Sequence, residues 1–207
     1  MTPANEIMRN YIYKNSNIPA YYLGKEIALF PQEIDLDAFH RLKNIENQCV
    51  RFFREHWNLN LYSNTVGNGK TSWAIKIVRA YIDTYACNYG NVDCLYINVP
   101  DFMALRKRGF DNPLARAQFY ELQQRAMDAK VVIFDEIASK QSSDFDADML
   151  YVIINHRVAN SKSSIYTSNV LPQELKKLLG DRISDRIVSA PNTVNIELRG
   201  DSRRGEF

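Results

Sequence analysis

Cysteine and histidine are too scarce for a metal cluster or a disulfide framework. Cys49, Cys87 and Cys94 are odd in number and show no C-x-x-C spacing, and the three histidines, His40, His56 and His156, are dispersed. Buried thiols in a reducing cytoplasm are the expectation, with no zinc site. Charge of one sign is also missing. Lys and Arg total 26 against 24 Asp and Glu, a net charge of +2. That balance permits a nucleic-acid partner without announcing one. No apolar run approaches the roughly 18 residues needed to span a bilayer. The start, MTPANEIMRNYIYKNS, lacks the continuous apolar core and cleavage site of a signal peptide. A cytoplasmic protein is expected.

The chain does have ordinary globular material, 45% hydrophobic and 24% charged over 207 residues. That suits one well-packed domain and is short for two. Residues 1–16 read as a short leader, with Ile7, Met8, Tyr11 and Ile12 sharing one helical face, and 17–207 as the domain proper. The leader is open to two readings, a loosely ordered terminus or a partner contact. Ser16 to Gly24 contains Pro19 and reads as an extended linker. Leu36 to Trp57 carries apolar residues at helical spacing. Strands then alternate with helices: strand 59–63, helix 71–86, strand 94–99, helix 119–129, strand 131–137, helix 147–160, strand 163–169, helix 172–187, strand 192–198. Continuous Val/Ile/Leu/Tyr strands separated by helices predict an α/β fold with a mostly parallel sheet sandwiched by helices.

Between the first of these strands and its helix lies NTVGNGKT. A phosphate-binding loop requires G-x-x-x-x-G-K-S/T in this context, and Asn64 stands where the first glycine belongs. Asn is the side chain that best tolerates a left-handed backbone, so the substitution is acceptable. The loop Asn64, Thr65, Val66, Gly67, Asn68, Gly69, Lys70, Thr71 and Ser72 would wrap ATP phosphates with backbone N–H groups. Lys70 would reach the β- and γ-phosphates and Thr71 would ligate Mg²⁺. Val131 to Phe134 lead into Asp135 and Glu136 at the carboxyl end of a strand, where open parallel sheets bind ligands. Asp135 is a Mg²⁺ candidate, and Glu136 would polarise the attacking water. Asn169, at the tip of the next strand in YTSN, is the candidate contact to the γ-phosphate.

NTVGNGKT, VVIFDE and YTSN, in that order, resemble the Walker A, Walker B and sensor 1 motifs of AAA+ ATPases. YVIINHRVANSKSSIYTSN, LPQELKKLLGDRISDRI and DSRR are similar to the DnaC/DnaI-type replicative helicase loaders and their IstB-like relatives, over about residues 16–204. The resemblance implies an AAA+ core with a reduced or absent C-terminal lid. It implies an arginine finger at Arg186 and a sensor 2 arginine at Arg204, with Arg203 as the alternative register. It places Ile18 and Tyr22 near the adenine, and Arg157 is a further candidate at a subunit interface. It implies a bacterial or phage-borne ATPase that engages a hexameric replicative helicase and assists its loading on single-stranded DNA, active as a ring or spiral of subunits. An IstB-like transposition ATPase, a non-hydrolysing ATP-switched adaptor and a P-loop kinase are the alternatives. Loaders usually carry an N-terminal helicase-gripping domain; here the leader stands in that place, and the chain is read as either a compact loader or a trimmed ATPase domain.

For nucleic acid, LRKRGFDNPLAR offers Arg106, Lys107, Arg108, Phe110 and Arg116. Basic side chains beside an aromatic suit a groove that tracks a single strand and stacks its bases.

Overall fold

The computed structural model describes residues 2–24, 26–138 and 144–203. Five strands, β1 (Asn58–Tyr62), β2 (Cys94–Asn98), β3 (Val131–Asp135), β4 (Ser163–Ser168) and β5 (Thr193–Glu197), form an all-parallel sheet in the order β2-β3-β4-β1-β5. The expected α/β sandwich is therefore present. Side chains alternate along each strand, and the sheet sorts them into two cores. Leu59, Leu61, Val131, Ile133 and Ile165 face one core, and Leu95, Ile97, Val132, Phe134 and Tyr166 face the other.

The first core is covered by α1 (Pro3–Asn15), α2 (Leu36–Asn47), α3 (Cys49–Arg54) and the long α4 (Lys70–Asn88). The second is covered by α5 (Val99–Arg108), α6 (Pro113–Asp128), α7 (Asp144–Ala159), α8 (Pro172–Leu179) and the short α9 (Asp181–Ser184). No helix among the described residues is long and apolar enough to cross a membrane.

The leader is an ordered helix. Thr2 caps α1 and Pro3 occupies its first turn, where a missing N–H costs nothing. Ile12 is buried and Met8 packs inward, while Tyr13 donates to Asp83 on α4 and Asn5 to the Cys87 carbonyl. Ile7 and Tyr11 remain exposed, so the apolar face read from the sequence divides between core and solvent. The linker includes a single 3-10 turn at Ala20–Tyr22.

Other boundaries shift for local reasons. The helix expected over Leu36 to Trp57 breaks at Gln48, where φ is −111° and ψ 22°. The helix expected over residues 172–187 breaks at Gly180, which has φ 82°, and resumes as α9 and a π turn at Asp185–Ser189. Two helix starts went unread: Asn98 caps α5 and Asn112 caps α6, each with a proline in the first turn. The Asn-Pro pairing at residues 112–113 is a helix N-terminus signal.

Arg157 corrects an expectation. It is fully buried, not at a surface available to a second subunit. Its guanidinium donates to Ser164 Oγ at 2.9 Å, to the Ala126 and Ala129 carbonyls at 2.8 and 2.9 Å, and to the Ser163 carbonyl. It thereby ties the C-terminus of α6 to α7 and the start of β4, and burial pulls its pKa down to about 10. Arg157→Ala removes these donors and leaves buried carbonyls unpaired. It is expected to cost about 3–5 kcal/mol, read as a fall in thermal midpoint of about 6–20 °C.

Candidate nucleotide site

Register and pleat assemble the site. Tyr96 on β2, Asp135 on β3 and Thr167 on β4 lie on the same face of adjacent strands, because each is an even number of residues from a partner in that core. That face is the one beneath the N-terminus of α4, so Thr71 approaches from above. The Asp135 carboxylate is 3% exposed and fully engaged. Its Oδ1 accepts from Thr71 Oγ1 at 2.7 Å and Thr167 Oγ1 at 2.6 Å, and its Oδ2 accepts from the Tyr96 hydroxyl at 2.7 Å. Burial, reinforced by the Asp135 charge, pushes the Tyr96 phenol well above its ordinary pKa. The phenol therefore stays protonated and donates.

Thr167 does a second task. Its Oγ1 accepts the Glu136 backbone N–H at 3.0 Å, and its carbonyl accepts that of Ile137 at 3.0 Å. These bonds hold Glu136 at φ 57°, a left-handed conformation unusual for a non-glycine residue. The backbone thus turns away from the strand immediately after Asp135, and Glu136 lines a cavity of about 1080 Å³.

That cavity collects most of the loop residues read from the sequence. Val66, Gly67, Gly69, Lys70, Thr71 and Ser72 line it, together with Asn169 and Thr167 from the β4 end. Gly67 and Gly69 have φ 85° and 101°, which only glycine adopts without strain. The Lys70 ammonium donates to the Thr65 carbonyl at 2.8 Å and to Asn68 Oδ1 at 3.0 Å. Asn68 is buried and does not line the cavity; it braces the loop by donating to Ser63 Oγ and the Leu198 carbonyl. Asn64 is exposed, and the positive-φ non-glycine residues among those described are Asn17, His56, Glu136 and Ser161. The expectation that Asn64 replaces a left-handed glycine is therefore corrected. Its position has no left-handed backbone that would call for glycine.

At the other end Tyr22 lines the cavity, with Tyr21, Ile27, Leu29 and Phe30 forming an apolar wall. Ile18 does not join it; its side chain is buried in the first core. Arg204 lies outside the described residues. Arg203 does line the cavity, its N–H donating to the Gly67 carbonyl at 3.0 Å, and its Nε is buried with no hydrogen-bond partner among the described residues. Arg186 stands away from this cavity, on the π turn, where its Nε donates to Asn155 on α7 at 3.2 Å.

The basic segment separates into inward and outward members. Arg106 is on the buried face of α5, paired with Asp146 at 2.6 Å and stacked 3.7 Å from the Phe145 ring centroid, so its assignment to nucleic acid is corrected. Arg116 holds the turn by donating to the Gly109 and Phe110 carbonyls. Lys107, Arg108 and Phe110 remain exposed.

The donor set suits magnesium. The ion prefers hard oxygen ligands and takes one or two carboxylates plus substrate phosphates rather than a protein cage. Thr71 and Asp135 offer such a pair, one hydroxyl and one carboxylate already in contact.

A parallel sheet with a strand–loop–helix phosphate cradle, an Asp-Glu strand end beside it and this strand order defines the AAA+ type of P-loop fold. No protein-family model matches the chain, and no curated protein matches it in sequence. Solved structures do match. The DnaC helicase loader superposes with a TM-score of 0.70 at 17% identity, over 87% of this chain and 100% of that one. DnaI gives 0.66 at 19%, over 91% and 95%. The replication initiator DnaA bound to AMPPCP and single-stranded DNA gives 0.59 at 19%, over 90% of this chain but only 52% of that one. The fold is thus that of the DnaC/DnaI-type AAA+ proteins.

Loop geometry sets expectations for binding. Asn64→Gly should leave the affinity for a fluorescent ATP analogue within about twofold. Gly69→Ala, which forces a Cβ onto a φ of 101° and to 3.4 Å from Leu29 Cδ2, should weaken it about tenfold or more.

Proposed function

We propose that the chain binds and hydrolyses ATP with magnesium and serves as a loader that engages a hexameric replicative helicase and assists its placement on single-stranded DNA. The observation that carries the reading is the convergence of Lys70, Thr71, Glu136 and Asn169 on one cavity, with Asp135 bonded to Thr71 beside it, in a fold shared with a helicase loader over the whole of that solved chain.

The roles follow from placement. Lys70 exchanges its carbonyl partners for phosphate oxygens. Backbone N–H groups of the loop and of the first turn of α4 donate to the same phosphates. Thr71 and Asp135 would hold magnesium, which neutralises charge on the phosphate oxygens. Glu136 orients and polarises the attacking water, and Asn169 fixes that water against the terminal phosphate. Arg203 adds a guanidinium from the cavity wall. Arg186 is the finger presented to a neighbouring subunit's nucleotide; its distance from its own cavity suits action in trans. Lys107, Arg108 and Phe110 are the surface proposed for single-stranded DNA.

Glu136→Gln should lower turnover by at least about a hundredfold while ATP affinity stays within twofold. Retained turnover in that variant would remove Glu136 from the chemistry. Arg186→Ala should be nearly inactive alone, and an equimolar mixture with Glu136→Gln should regain part of the parental rate, because each mixed interface can pair one intact Glu136 with one intact Arg186. Light scattering after size exclusion, with the hexameric helicase of the host, should give a complex whose stability changes with ATP and magnesium. ATPase activity without any such complex would exclude the compact-loader reading and leave either a trimmed ATPase domain without its helicase-gripping part or a transposase as the partner.

A further inference from the structure

The hydroxyls of Thr71 and Thr167 share one oxygen of Asp135, and the other oxygen accepts from Tyr96. This division matters because the carboxylate torsion of an Asp is broad and nearly two-fold, so donors on one oxygen alone leave the group free to swing. Donors on both oxygens, arriving from strands on opposite sides of β3, fix its plane. Tyr96 is itself held: its strand pairs with β3, and its backbone N–H donates to the Ser16 carbonyl at 2.7 Å, at the end of α1. Its ring is half-buried and packs against the first core. The hydroxyl therefore reaches Asp135 from a rigid base.

We propose that Tyr96 is a positioning residue for the magnesium–nucleotide site, its hydroxyl locking the Asp135 carboxylate in the plane that presents the metal-facing oxygen toward Thr71 and the phosphate loop. The inference rests on the ATP·magnesium reading above. It differs from a merely structural role in one respect. A packing residue would change stability and all nucleotide affinities together, whereas a positioning residue changes only the part of the affinity that depends on the metal.

The test is a Mg²⁺ titration of binding of a fluorescent ATP analogue, run on the parent, Tyr96→Phe and Tyr96→His, with a parallel measurement in EDTA and a thermal midpoint for each. Tyr96→Phe keeps the ring and removes one charge-assisted hydrogen bond. Its affinity in EDTA should stay within twofold of the parent, and its Mg²⁺ midpoint should rise about tenfold. Tyr96→His, a ring with a donor of its own, should recover part of that shift, and serves as the readout should the phenylalanine variant not fold. An unchanged Mg²⁺ midpoint in folded Tyr96→Phe overturns the inference, as does an equal weakening with and without metal. A parent that binds the analogue with no metal dependence overturns it while leaving nucleotide binding intact. A parent that does not bind at all overturns the proposed function and this inference with it.

Discussion

A carboxylate buried at the carboxyl edge of a parallel sheet is the constraint around which this site is built. Asp135 is 3% exposed, and an ionised carboxylate removed from water is tolerated only where donors replace the lost hydration. The three donors come from three elements, β2, β4 and the first turn of α4. Their convergence is possible only in one strand register. A slip of one residue in β2 or β4 would send Tyr96 or Thr167 to the opposite core. The need to satisfy one carboxylate therefore fixes the sheet locally. It also places the phosphate loop, since Thr71 opens α4.

The second constraint is that distant parts of the chain enclose the cavity. After β5 the chain crosses the phosphate loop: Leu198 accepts from Asn68, and Arg203 donates to Gly67. It is clamped there by Asp35, whose two carboxylate oxygens accept the Arg199 and Gly200 N–H groups at 2.7 and 2.8 Å. Gly200 permits that clamp, because a Cβ at this position would fall 2.7 Å from Asp35 Oδ2, the oxygen that accepts its N–H. Ile27, Leu29 and Phe30, a few residues before Asp35, form the apolar wall at the other end of the cavity from the glycine-rich loop. The apolar wall of the cavity and the arm carrying Arg203 are thus joined through one acid and one glycine.

The fold class and the strand ends that border the cavity were legible because they rest on strong local signals: apolar strands of uniform length, a glycine-lysine-threonine turn, and an acid pair closing an apolar run. Thr167 and Tyr96 were not. Each is an ordinary strand residue, and its importance arises only when β2, β3 and β4 are set side by side, which no periodicity in a single strand reveals. Asn64 illustrates the converse. A motif position was interpreted by the conformation its usual glycine adopts, yet the left-handed residues of this loop are Gly67 and Gly69, with Asn64 outside the strained part. The missed starts of α5 and α6 were legible in principle, since Asn98 and Asn112 stand just before prolines in the first turns.

Arginine shows why residue type alone cannot assign function here. Arg106, Arg116 and Arg157 look as available as Lys107, Arg108 or Arg186 in the sequence, but the first three are spent on a buried acid or on backbone carbonyls. The difference is a matter of phase. Arg106 follows Phe102 and Met103 by one helical turn, and these face the core, so it must as well. Lys107, one residue on, turns outward. Arg157 follows Ile153 and Ile154 on α7 in the same way, and a guanidinium carried into that core finds the carbonyls ending α6. Arg186 escapes burial because Gly180 and the π turn break the phase of the helix that carries it, so its guanidinium stays at the surface, bonded to Asn155 on α7 rather than to a buried acid or to backbone carbonyls.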